Sequence, residues 1–506
     1  MERWISLFGY AVMILLAVLL SSNRRRFPWR IVLVGTLMQF ALAALMLNTA
    51  AGRGSFALLG DLVTSMLDCV DAGSEFVFGK GFREHYFAFR ILPTIIFVSA
   101  LMSILYYLKV MQAVVWGMAW VMQKTMNLSG AESLAAAANV FVGQTEAPLV
   151  VRPYVETMTR SELMAVMIGG FASIAGGVLA AYVGMGINAG HLITASVLSA
   201  PAGLLIAKIL QPETEEPLTR GVVKTEVKID ARNIIEAAAE GASEGLKLAL
   251  NVAAMLLAFL AIIAVFNLGI GQLGKLFGQT WSLELLLGLA FAPLAWCMGV
   301  RWDECRPAGE LLGLKMVANE FIAYERLSEW NKTGQPYALS ERTQVILAYA
   351  LCGFSNFGSI GIQIGGIGAM APSRRGDLAS LGLRAMLGGT LACCMTACVA
   401  GVLLVEKAPD SESKPPREKV AEVQHGELLA NPDIHHVNRQ VVTEFRQHLQ
   451  AAAAGGESTG CGQGQGREFR LAFGHCLEHR HSFRADGHSI RGVLHVAARE
   501  ELIGFG

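Results

Sequence analysis

"FVGQTEAPLVVRPY", Phe141 to Tyr154, sets an amide, a hydroxyl and a carboxylate side by side (Gln144, Thr145, Glu146) within an otherwise apolar stretch. Pro148 follows after Ala147. Proline has no N–H to donate and suits the first turn of a helix, so Gly143 to Ala147 is expected to form a turn between two half-helices. Such a turn leaves amides and carbonyls unpaired, which a bilayer tolerates only where they line a cavity. The stretch therefore predicts a segment that enters the membrane, turns and leaves.

The remainder of the chain supports a membrane setting. Of its 506 residues 53% are hydrophobic and only 16% charged, against roughly 25% charged in an average soluble domain. Mean hydropathy is +0.45. Apolar runs recur at the length of about 20 residues that crosses a hydrocarbon core. A net charge of +0 offers nothing for a nucleic-acid partner. Seven of the nine cysteines fall in or beside the apolar part without disulfide or zinc spacing, and read as small core residues.

Spans are expected at about 4–21, 31–49, 91–108, 162–184, 191–210, 247–270, 342–368 and 378–404. Arg24, Arg25 and Arg26 follow the first run instead of preceding it. This argues for a retained helix with an external amino terminus and against a cleaved leader. The count then places the loop 211–232 inside, in agreement with Arg220, Lys224, Lys228 and Arg232, and "PSRRG" at 372–376 inside as well. Residues 281–300 contain Glu284 and a central proline, and suit an interfacial helix as well as a span.

A second interrupted stretch spans about 305–329, broken at "NEFIAYER" around Asn319 and Glu320. The first, about 132–158, precedes "GGFASIAGG"; the second precedes "SNFGSIGIQIGG", and Phe171 to Ile174 lines up with Phe357 to Ile360. On the topology above one unit starts inside and the other outside, an inverted repeat. Paired interrupted segments in corresponding places mark a transporter's binding site. The expected architecture is an all-α polytopic membrane protein of about eight spans and two re-entrant hairpins. Residues 1–130 form scaffold helices with an interfacial segment, and 131–406 form the transport core. The polar, His-rich stretch 407–506 is an appendage expected to be disordered.

Glu146 and Glu320 are the acids to explain, because a charge at mid-membrane costs at least ~2.5–3.5 kcal/mol. A lone acid could snorkel from a helix end, but both sit beside amide or hydroxyl partners. Asn356 and Ser359 lie three apart on one helix face, where they serve either packing or a site. Together with Ser173 in the other repeat they read as a second half of the site. Gln144, Thr145 and Glu146 supply donors and acceptors suited to a hydroxyl-rich, amide-bearing solute. No Lys or Arg lies within 139–146 to compete with a small hard cation for the oxygens there. Inward movement of one positive charge draws about 2.3 kcal/mol per 100 mV, near a fiftyfold accumulation of solute.

"GQTEAPL", "NEFIAY", "CGFSNFGSIGIQIGG" and "APSRR" resemble the concentrative nucleoside transporters, over about residues 5–404. The resemblance implies eight spans, two re-entrant hairpins, three interfacial helices, a homotrimer and a bacterial inner membrane. It implies nucleobase contacts from Gln144, Thr145 and Glu146, and ribose contacts from Glu320, Asn356 and Ser359. It also implies a sodium site at Asn139, Val142, Thr145, Ser173 and Ile174, where Val142 and Ile174 offer backbone carbonyls. No cofactor is implied. The function so read is sodium-coupled nucleoside import, with proton coupling through Glu146 or Glu320 as the alternative. An intramembrane enzyme using the two acids, or a passive channel, fits less well, since no nucleophile motif accompanies the acids. "GIGQLGK" at 269–275 spells most of a phosphate loop, but no strand precedes it. "HCLEH" at 475–479 lies in the His-rich tail and reads as chance.

Overall fold

The computed structural model describes residues 2–85, 87–220, 231–279, 281–333 and 337–404. Lys224, Lys228, "HCLEH" and the appendage 407–506 lie outside the described residues. Within them the chain is helical, with one isolated bridge between Ser129 and Arg220. The first helices are α1 (Glu2–Leu19), α2 (Trp29–Asn48), α3 (Ala50–Phe78), α4 (Leu92–Tyr107) and α5 (Val110–Met126). Hairpin 1 is α6 (Gly130–Ala138), a turn over 139–146, a 3-10 turn Ala147–Val151 and α7 (Arg152–Val155). Next come α8 (Arg160–Ala172), α9 (Gly176–Gly184), α10 (Ala189–Leu210), α11 (Ile234–Leu276) and α12 (Leu283–Cys297). Hairpin 2 is α13 (Cys305–Val317) and α14 (Glu320–Thr333), after which α15 (Glu341–Ala350), α16 (Phe357–Met370) and α17 (Arg375–Leu403) complete the core.

Seven helical stretches among the described residues are long and apolar enough to cross a membrane: 2–19, 29–48, 88–107, 160–184, 189–210, 234–276 and 372–403. The eighth expected span, 342–368, is two half-helices, α15 and α16, separated by six residues. The stretch 160–184 is likewise interrupted, over Ser173 to Ala175, between α8 and α9. Each repeat is thus a re-entrant hairpin followed by a broken helix, and counting crossings between them reverses the second unit. α3, α5 and α12 are too polar or too short to span, and fit the interfacial role.

Sequence chemistry explains where these elements begin. Ser129 and Thr159 open α6 and α8 with reciprocal capping boxes, each bonding an N3 glutamate, Glu132 or Glu162. Asn188, Asn233, Ser282, Ser340 and Asn356 cap α10, α11, α12, α15 and α16 through their side chains. α11 begins well before the expected 247, because "IIEAAAEGASEG" is rich in good helix formers that a hydropathy window ignores. "GIGQLGK" lies inside this helix, which removes any phosphate loop.

The core is buried on both repeats. α8, α10, the second half of α17 and most of α13 bury nearly every residue, whereas α11 buries only a narrow stripe. α11 pairs with α4 at close range. A Cβ added at Gly245 would fall 2.7 Å from the Ile96 backbone, so only glycine allows that approach. Near the base of hairpin 1 the buried Lys208 ammonium of α10 pairs with Glu132 at 2.6 Å and Glu213 at 3.3 Å, and donates to Ser161 Oγ at 2.9 Å. Arg374 ties the other arm of hairpin 1, donating to the Met158 carbonyl at 2.6 Å. The base of hairpin 2 is held by Glu304, which accepts from the Ser340 N–H and hydroxyl, both at 2.8 Å, and from the Thr343 hydroxyl. Cys305, Cys352, Cys393, Cys394 and Cys398 are free and buried, as expected of core residues.

Candidate functional site

The polar side chains of the two hairpins converge on α16. Gln144, in the turn of hairpin 1, is buried, and its Nε2 donates to Ser359 Oγ at 3.0 Å. Gln363 Nε2 donates both to Gln144 Oε1 and to the Met167 carbonyl, each at 3.1 Å. Because a carbonyl can only accept, the Met167 contact fixes the Gln363 amide, and Gln363 in turn fixes Gln144 with its NH2 toward Ser359. A Cβ on Gly170 would fall 2.8 Å from Gln363 Nε2 and 2.9 Å from Gln144 Cβ, so a bare backbone is needed at this contact.

Glu320 opens α14 and is 4% exposed. Its carboxylate accepts from the Tyr182 hydroxyl at 2.9 Å and from Asn356 Nδ2 at 3.3 Å. Asn356 caps α16 by accepting from the Ser359 N–H at 2.8 Å. Gln144, Ser359, Asn356 and Glu320 therefore form one continuous polar chain from hairpin 1 to hairpin 2. Tyr182 packs against Tyr324 with ring centroids 4.4 Å apart and the planes tilted by 35°, giving this chain an aromatic wall.

Thr145 and Glu146 stand apart from that chain. The Thr145 hydroxyl donates to Glu146 Oε1 at 3.0 Å, and Glu146 is exposed. Its charge reaches Tyr106 on α4 and Glu244 on α11, on the side of the long helix pair. The two acids open the second arms of their hairpins in matching places, yet only Glu320 is interior.

The sequence-expected cation residues gather where the turn of hairpin 1 meets the first helix break. The Phe141 carbonyl accepts from the Gly176 N–H at 2.9 Å, which brings Ser173 and Ile174 beside 139–142. Asn139 Nδ2 donates to the Ala135 carbonyl at 3.0 Å, so its Oδ1 points the other way; that oxygen is buried and has no hydrogen-bond partner among the described residues. Ser173 Oγ donates to Gly169 O at 2.9 Å, leaving its lone pairs free, while the Ser173 carbonyl accepts from the Phe354 N–H at 3.2 Å. Val142 is half-buried and Ile174 fully buried. Neutral oxygens with one unsatisfied acceptor suit a hard cation of low charge. Thr145, expected to serve both sites, spends its hydroxyl proton on Glu146.

The aligned motifs do not occupy equal places. Ser173 closes the first half of its broken helix, whereas Ser359 lies in the first turn of the second half. Sequence reasoning also missed Tyr182 and Gln363. Gln363 was within reach, since 356, 359 and 363 follow i, i+3, i+7 on one helix face. Tyr182 carries no such local signal.

Most of the chain is similar to known transporters. Residues 8–81 match the profile of the Na+ dependent nucleoside transporter N-terminus, 88–189 that of the nucleoside recognition "Gate", and 191–401 that of the Na+ dependent nucleoside transporter C-terminus. Solute carrier family 28 member 3 of Eptatretus stoutii is 45% identical over 415 residues, covering 79% of this chain and 60% of that protein. This chain thus spans about three fifths of the length of the curated relatives of that kind. An uncharacterized transporter of Haemophilus influenzae is 45% identical, covering 79% of this chain and 97% of that protein. The solved structure of CNTnw in an inward-facing substrate-bound state superposes with a TM-score of 0.74 at 45% identity, covering 79% of this chain and 98% of that one. Substituted variants of CNTnw have been solved in outward-facing and intermediate states.

Proposed function

The chain belongs to the concentrative, Na+-dependent nucleoside transporter family, and from that premise we propose that it imports nucleosides together with sodium by alternating access across a bacterial inner membrane. The observation that carries this reading is the polar chain Gln144–Ser359–Asn356–Glu320, which joins the two hairpins through α16. Its chemistry suits a nucleoside. Gln144 presents a fixed donor to a base carbonyl or ring nitrogen, while Thr145 and Glu146 stand at the rim of the base side. Glu320, Asn356 and Ser359 accept from and donate to ribose hydroxyls, with Tyr182 orienting the carboxylate.

Sodium is the co-substrate. Asn139 Oδ1, the carbonyls of Val142 and Ile174, and the hydroxyls of Ser173 and Thr145 are its donors, and the unpaired buried Asn139 Oδ1 supports the assignment. The breaks in both helices supply backbone groups that α-helix would otherwise consume. The loaded core then exposes the site to the other side, as the states of CNTnw show for that protein. The exposed apolar face of α11, with Leu250, Leu257 and Phe266, faces lipid or a neighbouring protomer of the homotrimer that the family resemblance implies.

The test is uptake of a radiolabelled nucleoside panel into proteoliposomes containing the full chain, with and without a sodium gradient at fixed pH. Sodium-dependent accumulation above equilibrium is expected. Accumulation retained without sodium would replace sodium with protons, and equilibration without concentration would leave a channel.

A further inference from the structure

Lys315 is a buried charge that the transport reading leaves without a task. It lies in the last turn of α13, two residues before the helix ends at Val317, and is 2% exposed. Its ammonium donates to the carbonyl of Ala350 at 2.9 Å, and Ala350 is the last residue of α15, at the edge of the second helix break. The buried cation thus stands in the last turn of one half-helix and bonds the last carbonyl of another, and each such end carries about half a negative charge. Glu320, across the hairpin turn, lies close enough for its charge and that of Lys315 to interact.

Hairpin 1 has the same frame with a different occupant. There α6 ends at Ala138 and α8 at Ala172, again two half-helix ends beside a helix break. Residues 139–146 contain no lysine or arginine, and the Asn139 oxygen at this junction is unpaired. One repeat offers its helix ends and an unsatisfied acceptor to a free ion; the other fills the corresponding place from its own sequence.

We propose that Lys315 is a tethered cation, a positioning residue whose ammonium holds in the second repeat the place that the free coupling ion takes in the first. It neutralises the ends of α13 and α15 and balances the Glu320 carboxylate, so that this carboxylate remains available to solute hydroxyls. Because it is bonded to the chain, this cation stays with the core through the whole cycle. The inference rests on the symport reading for what the free ion is, and on the burial of Lys315, its bond to Ala350 and its charge interaction with Glu320 for the balance between the two.

The balance is tested on purified full-length protein by the melting temperatures of wild type, Lys315→Met, Glu320→Gln and the double variant. Methionine keeps the apolar stem and removes the charge. Lys315→Met is expected to melt several degrees lower than wild type, and Glu320→Gln in the same chain to restore at least about half of that loss, a non-additivity reserved for directly coupled sites. Additive shifts would overturn the proposal. Should Lys315→Met be too unstable to purify, recovery of folded protein in the double variant supports it and failure of both overturns it. The cation role is read from nucleoside binding against sodium concentration. Wild type and Lys315→Arg are expected to share one sodium dependence, and Lys315→Met to gain a steeper one as a second sodium is drawn to the vacated place. A Lys315→Met curve that superposes on wild type would overturn the tethered-cation role. If the wild-type protein shows no sodium-dependent nucleoside binding at all, the symport reading falls instead, and the melting cycle still decides whether Lys315 balances Glu320.

Discussion

The two hairpins share a plan and differ in what they bury. Hairpin 1 turns over eight residues, 139–146, and presents its acid, Glu146, at the exposed edge beside α4 and α11. Hairpin 2 turns over two residues, passes directly into α14, and presents Glu320 to the interior between Tyr182 and Asn356. The anchoring is reversed as well. The base of hairpin 1 holds a buried ion pair, Lys208 with Glu132, and its turn is free of cationic side chains. The base of hairpin 2 joins Glu304 to the neutral Ser340 and Thr343, and its cation, Lys315, sits beside the turn. The two repeats thus distribute charge differently: the turn of hairpin 1 carries no cationic side chain, and the turn of hairpin 2 has a buried lysine beside it.

This comparison can be broken most directly at the acids. Glu320→Ala removes a buried carboxylate and strands the partners that bond it, a change that costs roughly 3–5 kcal/mol where a buried charge pair is broken. Nucleoside uptake is expected to fall to background while the protein still reaches the membrane, and normal uptake would sink the interior role of Glu320. Asn139→Ala should act next most strongly. It is expected to raise the sodium concentration for half-maximal uptake about tenfold, as one lost oxygen ligand of order 1.4 kcal/mol would, while nucleoside affinity at saturating sodium changes little. A matching loss of nucleoside affinity at saturating sodium would show that Asn139 does not belong to a separate cation site.

Tyr182→Phe sharpens the comparison on the Glu320 side. It deletes one hydrogen bond to a charged group, worth about 1.5–3 kcal/mol, and should weaken nucleoside binding at least tenfold without shifting sodium dependence. Glu146→Gln is expected to have the smallest effect. An exposed carboxylate gives up little, and a change of at most about threefold in uptake is consistent with the ~0–1 kcal/mol of exposed charge interactions. A Glu146→Gln loss as deep as that of Glu320→Ala would erase the distinction drawn between the hairpins.

Much of this was legible in the chain because membrane insertion penalises polarity, so each interruption of an apolar run stood out. Both hairpins, the candidate acids and most span boundaries followed from that single pressure. The signal fails where a helix is polar, as at α3 and the first turns of α11, since a hydropathy window does not register helix propensity. It fails again where function depends on long-range contact. Tyr182 reaches Glu320 across 138 residues of chain, and the lone lysine of "LLGLKMVANE", Leu311 to Glu320, gives no local hint of the Ala350 carbonyl it meets. The motif alignment of Ser173 with Ser359 was misleading for a related reason. Similar small residues suit either side of a helix break, and sequence does not record on which side the chain resumes its turn.

The two helix breaks also touch. The Phe354 N–H donates to the Ser173 carbonyl at 3.2 Å, and the Cys393 thiol of α17 lies 3.2 Å from the Cys352 carbonyl and 3.7 Å from that of Ala172. Phe354 is two residues from the Asn356 that bonds Glu320, and Ser173 belongs to the candidate cation set. On the proposed symport reading, ion and solute would be linked through one backbone hydrogen bond, and thermodynamic linkage would make that coupling symmetrical. Whatever factor the ion adds to the grip on the solute, the solute returns to the ion.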